Sequence, residues 1–254
     1  MNAYIAFTKK EFRECVRTHK LLILMAVFLL LGMMNPIVAK IMPDMVDSLL
    51  PEGIQITLSE PSAMDSWMQF FKNIPQTGLI VLVIVFAGMI SGELSRGTLV
   101  NLLTKGLSRG TVILSKLTMS VSVFSASYIL CTAVSWGYTS YFWPGQTLPN
   151  LLFSIACLWL FGVMLLTSLL FGGVVFSGNY SSLLFTAGFV MLLFIAEIVP
   201  VLKPFDPVRL ASENMGLLTD GLTAADFVPA ILSACGLSLG FTTGAIALFR
   251  KKQV

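Results

Sequence analysis

The sequence predicts an all-α integral membrane protein, in which an N-terminal amphipathic helix at the membrane surface precedes six transmembrane helices. Of the 254 residues, 56% are hydrophobic and 11% are charged, and the mean hydropathy is +0.86. A soluble chain of this length needs more charged side chains to cover its surface. The apolar residues also fall in blocks of membrane-spanning length, and the basic residues concentrate on alternate connections between these blocks.

The first predicted element is an interfacial helix over residues 1–20. At helical spacing, one face of it carries Tyr4, Ile5, Thr8, Phe12, Cys15 and Val16, and the other carries Lys9, Lys10, Arg13, Glu14 and Arg17. A helix with this pattern lies in the headgroup layer, where Lys and Arg contact the phosphates of anionic lipids. The alternative is a solvated helical tail, and the apolar side chains disfavour it.

Residues 21–254 form the predicted six-helix transmembrane domain. The six apolar blocks are Leu21–Ile41, Thr77–Ser91, Thr111–Tyr138, Leu151–Phe176, Ser182–Leu202 and Phe227–Phe249. The second block is short for a span, but it can recruit residues 70–74. Residues 43–76 are then an outer loop, which is either a small folded cap or a ledge sunk in the outer leaflet, and residues 203–226 are an outer re-entrant segment.

The distribution of basic residues predicts a multi-pass protein of the cell membrane with both termini in the cytoplasm. Twelve of the 16 lysines and arginines fall in the N-terminal segment, on the connection after the second span and the first turns of the third span, or at the C-terminus. Nine of the 13 acidic residues fall on the opposite side. Cytoplasmic loops carry an excess of Lys and Arg, so the net charge of +3 reflects membrane orientation and indicates no nucleic-acid partner.

Several kinds of chemistry are disfavoured by what the sequence lacks. The only histidine, His19, lies outside the spans, and the four cysteines are scattered, so we expect neither a histidine-based metal site nor a serine–histidine dyad in the membrane. The sequence contains no G-x-x-x-x-G-K-[ST] phosphate loop, so the chain has no ATPase site of that type. Six methionines between positions 33 and 68 could bind Cu(I), but they form no tight repeat and are more simply apolar filler.

Glu197 is the acidic residue placed furthest inside an apolar block. Ionisable residues inside a membrane are costly and often mark a substrate pathway. We therefore consider Glu197 a possible pathway or gate residue. The alternative is a structural role at the outer rim, with the carboxylate reaching water or pairing with Lys203.

The segment from Ser91 to Leu117 is polar, basic and helical in character, and it joins the second and third spans. Leu94, Leu99, Leu102 and Leu103 can line one side of a short helix that lies across the mouth of the bundle. Gly106 is suited to end this helix, and Ser108 can cap the next span. A partner that pushes on such a segment would move both spans together.

The order of residues in this segment resembles the intracellular loop of ABC-2 type permeases, which have the type V exporter fold. The matching residues are Glu93, Gly97-Thr98, Leu102-Leu103, Ser108-Arg109 and Lys116. Gly106 stands where the family usually has proline, and Ser115 replaces the glycine before the lysine. The Lys10–Arg13 run and the proline-rich segment 202–207 are also similar to this family.

This resemblance implies that the chain is a transporter permease subunit and not itself an enzyme. Two ATP-binding subunits, which bind ATP and Mg, would dock below it, and a second identical or paralogous permease chain would complete the pathway, which the second and fifth spans would line. The coupling helix, within residues 94–110, would contact the ATPase. The residues implied in coupling are Glu93, Arg96, Gly97, Thr98, Leu102, Leu103, Ser108, Arg109 and Lys116.

The apolar spans suit an amphiphilic or hydrophobic substrate, such as a drug, an antimicrobial peptide or a lipid-like molecule, and the family analogy favours export. The chain itself would bind no cofactor and no metal. Two other functions stay open: a membrane-anchored protein that recruits or regulates a partner, and a membrane-embedded enzyme that modifies lipids. An enzyme would need clustered polar groups in the spans, and the sequence shows none.

Overall fold

The computed structural model describes residues 3–49, 60–95, 97, 99, 103–104, 106–176, 178, 180–219 and 221–252. Over these residues the regular secondary structure is helical, and no strand occurs. The helices are α1 Ala3–Arg17, α2 Lys20–Leu49, α3 Ala63–Asn73, α4 Leu79–Phe86, α5 Ser91–Ser95, α6 Arg109–Phe142, α7 Leu151–Val175, α8 Ser181–Glu197, α9 Arg209–Ser212, α10 Asn214–Leu218 and α11 Val228–Lys251.

Five helical stretches of the described chain are long and apolar enough to cross a membrane. They are Lys20–Val46, Ala63–Leu94, Arg109–Phe142, Leu151–Val175 and Ala224–Lys251. The remaining predicted span, Ser182–Leu202, is represented by the 17-residue helix α8, which is about 25 Å long. This helix ends at Glu197 because Pro200 has no N–H to donate and disfavours helical backbone at the residue before it.

The second span begins earlier than the sequence predicted, at Ala63 rather than at Thr77. A reciprocal capping box of Ser62 and Asp65 starts α3, so the helical stretch includes residues 63–76 of the predicted outer loop 43–76, whose position relative to the membrane stays a prediction. A π-helical turn at Ile74–Gly78 then accommodates Pro75. The described part of the outer connection is therefore short, and residues 50–59 of it lie outside the described residues.

Aromatic side chains of α2, α3 and α6 fill the interior of the bundle. Phe28, Phe70, Phe124 and Tyr128 are fully buried, with ring centroids 5.6–6.5 Å apart in the contacting pairs. Trp67, which falls in the predicted outer loop, is also buried in this core. Helix α7 is the most buried of the spanning helices and α11 the least.

The connections of the bundle gather at two opposite ends. At one end, which we call the basic end, lie α1, the segment between α5 and α6, the C-terminal end of α7 and the end of α11. The other end, which we call the acidic end, holds the start of α3, the α6–α7 connection and residues 198–227. Both termini of the described chain thus lie at the same end, and the side of the bilayer that this end faces stays a prediction.

Candidate functional site

A buried cluster of charged side chains joins three helices at the basic end. Lys116 Nζ of α6 lies 2.7 Å from Glu11 Oε2 of α1 and 2.9 Å from Glu93 Oε2 of α5. Lys10 Nζ of α1 lies 2.9 Å from Glu11 Oε1 and 3.2 Å from Glu93 Oε1. We call these four residues the charge cluster. Glu93 bridges two lysines from different helices, so the charge cluster ties α1, α5 and α6 together.

Burial makes these ion pairs different from ordinary surface pairs. The side chains of Lys116 and Glu11 are only 2% and 3% exposed, and that of Glu93 is 16% exposed. Such groups lose their hydration, and removing one partner leaves an uncompensated buried charge. The charge cluster therefore holds one arrangement of the three helices and strongly penalises any motion that separates them.

Lys10 and Glu14 extend the charge cluster toward solvent. Lys10 Nζ lies 2.8 Å from Glu14 Oε2, one helical turn further along α1. Burial alone would lower the pKa of Lys10, but hydrogen bonds to Glu14 and Glu11 and the charge of Glu93 outweigh it and raise that pKa above its ordinary value. Burial would likewise raise the pKa of Glu14, but the hydrogen bond from Lys10 dominates and lowers it.

Glu11, Glu14 and Glu93 bring three carboxylate groups within 4.8 Å of one another. Such an arrangement can hold a cation. Here the ammonium groups of Lys10 and Lys116 form ion pairs with these carboxylates, so the lysines balance their negative charge.

Glu11 and Lys10 are the residues that the sequence-based site left out. Along α1, Phe7, Glu11 and Cys15 are buried at four-residue spacing, whereas Phe12 and Val16 of the predicted apolar face are 44% and 47% exposed. An acidic residue at the centre of a buried stripe is the signal that could have identified Glu11. The protein-facing side of α1 therefore differs from its predicted apolar face, whose contact with the headgroup layer stays a prediction.

Ser108 and Arg109 fix the start of α6. Ser108 caps the helix, with its Oγ accepting a hydrogen bond from the Thr111 N–H at 3.1 Å, which confirms the predicted cap. Arg109 Nη1 donates to the carbonyls of Phe249 at 2.6 Å and Arg250 at 3.1 Å, and also to that of Lys252. One guanidinium thus binds the carbonyl end of α11, which is the negative end of the helix dipole.

Two glycines with left-handed backbone bound the segment between α5 and α6. Gly97 has φ 66° and Gly106 has φ 88°, and their N–H groups donate to Leu94 and Leu103 respectively. Only glycine adopts this conformation without strain, so each closes a turn where it stands. Among the described residues an added Cβ would meet nothing within 4 Å at either position, so the backbone conformation is the observed reason for these glycines.

The leucines of this segment that the structure describes face the bundle. Leu99 is fully buried, Leu94 and Leu103 pack against the core, and the Leu103 N–H donates to the Leu99 carbonyl at 3.0 Å. Leu94 itself belongs to α5, and Arg109 and Gly110 belong to α6. Arg96, Thr98 and Leu102 lie outside the described residues, so their predicted coupling roles stay predictions.

Glu197 lies at the acidic end as the last residue of α8, where it is partly buried. The predicted partner Lys203 instead pairs with Glu213, with Nζ 2.9 Å from Oε1. The pathway or gate role of Glu197 stays a prediction.

A groove of about 840 Å³ runs between the second span and α8. Ile80 and Val83 line one wall, Val190 and Phe194 line the other, and Phe161 of α7 lies at the floor. The lining is predominantly apolar. Such a groove is suited to an apolar or amphiphilic molecule.

Two comparisons with known proteins bear on this arrangement. A family model described as "ABC-2 family transporter protein" matches residues 5–254. An uncharacterized transmembrane protein of Bacillus subtilis (strain 168), YxlG, is 18% identical over 178 residues, which cover 69% of this chain and 69% of that protein. The match to the family model extends over both the charge cluster and the groove.

Proposed function

The chain belongs to the ABC-2 family of transporter proteins, as the resemblance predicted, and we propose that it is the membrane permease subunit of an ATP-driven transporter. Six transmembrane helices form its half of the pathway, and both termini face the cytoplasm. ATP is hydrolysed by two copies of a separate ATP-binding subunit docked at the basic end. A second permease chain, identical or paralogous, completes the pathway.

The observation that best supports this proposal is the charge cluster beside the segment between α5 and α6. An ATPase that moves this segment must displace α5 and α6, which flank it. Because Glu93 is tied to Lys116 and to Lys10, the displacement passes to both spans and to α1 as one unit. Arg109 extends the same connection to the end of α11. Glu93, Arg109 and Lys116 therefore act by holding helices together, and the predicted coupling helix, residues 94–110, makes the contact with the ATPase.

The groove between the second span and α8 is our proposed substrate site. It lies where the resemblance to the family puts the pathway, and its apolar lining suits an amphiphilic or hydrophobic substrate. We propose export as the direction, because the family analogy favours it.

Reconstitution tests the proposal directly. The chain is placed in liposomes with its cognate ATP-binding subunit, and ATP hydrolysis and movement of a fluorescent amphiphile between leaflets are measured. We expect hydrolysis to be stimulated by the chain, and movement to require both ATP and the chain. A Lys→Ala substitution in the phosphate loop of the ATP-binding subunit is the control and should stop both.

Two results would contradict the proposal. Movement of the amphiphile at the full rate without any nucleotide-hydrolysing partner would exclude an ATP-driven subunit. Chemical labelling that places the segment 94–110 on the outer face of the membrane would exclude contact with an ATPase.

A further inference from the structure

A second groove, separate from the proposed substrate site, lies between α8 and α11. It is open on one side, has a volume of about 940 Å³, and is almost entirely apolar. Phe171 of α7 lies at its floor, and it follows α11 from Ser233 to Leu248, which is about 22 Å of helix. This length matches an extended alkyl chain rather than a compact molecule.

Glycines on α11 leave space along one side of this groove because they have no side chain. Gly236 and Gly240 line it, and a Cβ added at either would meet nothing within 4 Å. Gly244 is different, because its added Cβ would lie 3.0 Å from the Phe171 ring at the floor. Beside Gly236 and Gly240, the groove is therefore open space that no side chain of the described residues fills.

One buried carboxylate lines the groove at the acidic end. Asp206 is 4% exposed, and its Oδ1 accepts a hydrogen bond from the Val208 N–H at 2.9 Å. Its Oδ2 is also buried, and among the residues that the structure describes no group donates to it. A buried carboxylate oxygen without a donor is costly, so it points to a partner that the chain does not supply.

The neighbouring basic residues are engaged elsewhere. Lys203 and Arg209 lie three residues before and after Asp206, yet both pair with Glu213, at 2.9 Å and 2.7 Å. Arg209 also donates to the Asp226 carbonyl at 3.2 Å. The two closest cations in the sequence thus pair with Glu213, and Asp206 lines the groove.

We propose that this groove binds an amphiphile with a cationic ammonium head and an alkyl tail. The head would donate to Asp206 Oδ2, and the tail would lie along α11 in the space left by Gly236 and Gly240. A charged donor is the complement of an unsatisfied carboxylate, and an apolar groove of this length is the complement of an alkyl chain.

Measuring the binding of alkyl amphiphiles to the chain alone tests this proposal, and no ATPase is needed. The chain is placed in nanodiscs of phosphatidylcholine, and binding of radiolabelled dodecylamine and of uncharged dodecanol is measured against empty nanodiscs. A hydrogen bond between two charged groups is stronger than one to a neutral hydroxyl. We therefore expect dodecylamine to bind at least about tenfold more tightly than dodecanol. Equal binding of the two compounds would overturn the proposal.

Two variants and a matched control separate the head from the tail. Asp206→Asn keeps an acceptor for the Val208 N–H but removes the charge, so it should abolish the preference for the amine and leave dodecanol binding unchanged. Gly240→Leu fills open space and should weaken binding of both compounds. Glu60→Gln removes an exposed charge at the acidic end and should change neither.

The contrary results are equally specific. A preference for the amine that survives Asp206→Asn would overturn the role of the carboxylate, and tail binding that survives Gly240→Leu would overturn the placement of the tail. Repeating the measurement in nanodiscs that contain phosphatidylethanolamine tests a lipid ammonium as the occupant. Loss of dodecylamine binding there would overturn a free amphiphile as the natural ligand.

Discussion

Each end of the bundle contains a glutamate that pairs with two basic side chains, Glu93 at the basic end and Glu213 at the acidic end, and the two glutamates connect different parts of the chain. Glu93 at the basic end pairs with Lys10 and Lys116, which belong to two other helices. Glu213 at the acidic end pairs with Lys203 and Arg209, which belong to the same short stretch of chain. The two glutamates are similarly exposed, at 16% and 19%.

The two glutamates are about equally buried, so the difference in how strongly they couple helices comes from the residues with which each one pairs. Around Glu93 lie groups that are distant in sequence, two of which are almost fully buried, so separating them exposes charge across three helices. Around Glu213 the partners are local, and the pair to Lys203 involves a half-exposed ammonium. Glu93 therefore joins helices into one unit, whereas Glu213 shapes only its own loop.

The largest loss of stability is expected from Lys116→Met. This substitution leaves Glu11 and Glu93 without their common buried cation, and breaking a buried pair in this way costs about 3–5 kcal/mol. We expect a large decrease in the midpoint of thermal unfolding in detergent. Adding Glu11→Gln and Glu93→Gln to Lys116→Met should restore much of the loss, because no buried charge is then uncompensated. A triple variant no more stable than the single one would contradict a role for buried charge.

A smaller and more local effect is expected from Arg109→Gln. The substitution removes a charged donor from the carbonyls of Phe249, Arg250 and Lys252. The expected loss of stabilising free energy is about 1–3 kcal/mol, and it is confined to that contact. Hydrogen exchange should therefore rise in the last turn of α11 and stay unchanged at the start of that helix. Uniform exchange along α11 would show that Arg109 does not anchor it.

At the acidic end, Lys203→Met should have little effect. The ammonium is 48% exposed, and exposed pairs contribute about 0–1 kcal/mol. We expect the unfolding midpoint to shift far less than in Lys116→Met, although both substitutions remove one lysine from a carboxylate. Equal losses from the two would remove the distinction between the ends.

The smallest effect is expected for the pH dependence that Glu14 contributes. Its pKa in the folded protein is depressed below 4.5, so its stabilisation is complete above that value and is lost as the pH falls through the lower folded pKa. Because Glu14 is 49% exposed, the effect is small. The free energies of unfolding of the wild type and Glu14→Gln should converge as the pH falls below 4.5. Curves that stay parallel over this range would contradict the pairing with Lys10.

The sequence was informative where local patterns decide the structure. Composition and block length predicted a helical membrane protein, and Ser108 was identified as a cap because its residue type and position suffice for that role. The family was also predicted, since the order of Glu93, Gly97, Ser108 and Lys116 spans one continuous segment.

The sequence was less informative where distant parts of the chain meet. The burial of Glu11 depends on Lys116, 105 residues away, and no local pattern reports that contact. The predicted block of the second span began at Thr77, whereas the helical stretch begins at Ala63. The buried face of α3 depends on contacts between residues distant in sequence, such as Phe70 with Tyr128, which no local pattern indicates. The end of α8 was placed too late because apolar character continues past Pro200 while the helical backbone does not.

The central claim is that the ion pairs of Glu93 transmit movement from an ATPase into the membrane helices. The most direct test is the number of substrate molecules moved per ATP hydrolysed, compared between Glu93→Gln and Glu213→Gln in the reconstituted transporter. We predict that Glu93→Gln hydrolyses ATP but moves much less substrate per ATP, while Glu213→Gln resembles the wild type. An unchanged ratio in Glu93→Gln, or an equal loss in both variants, would contradict the claim.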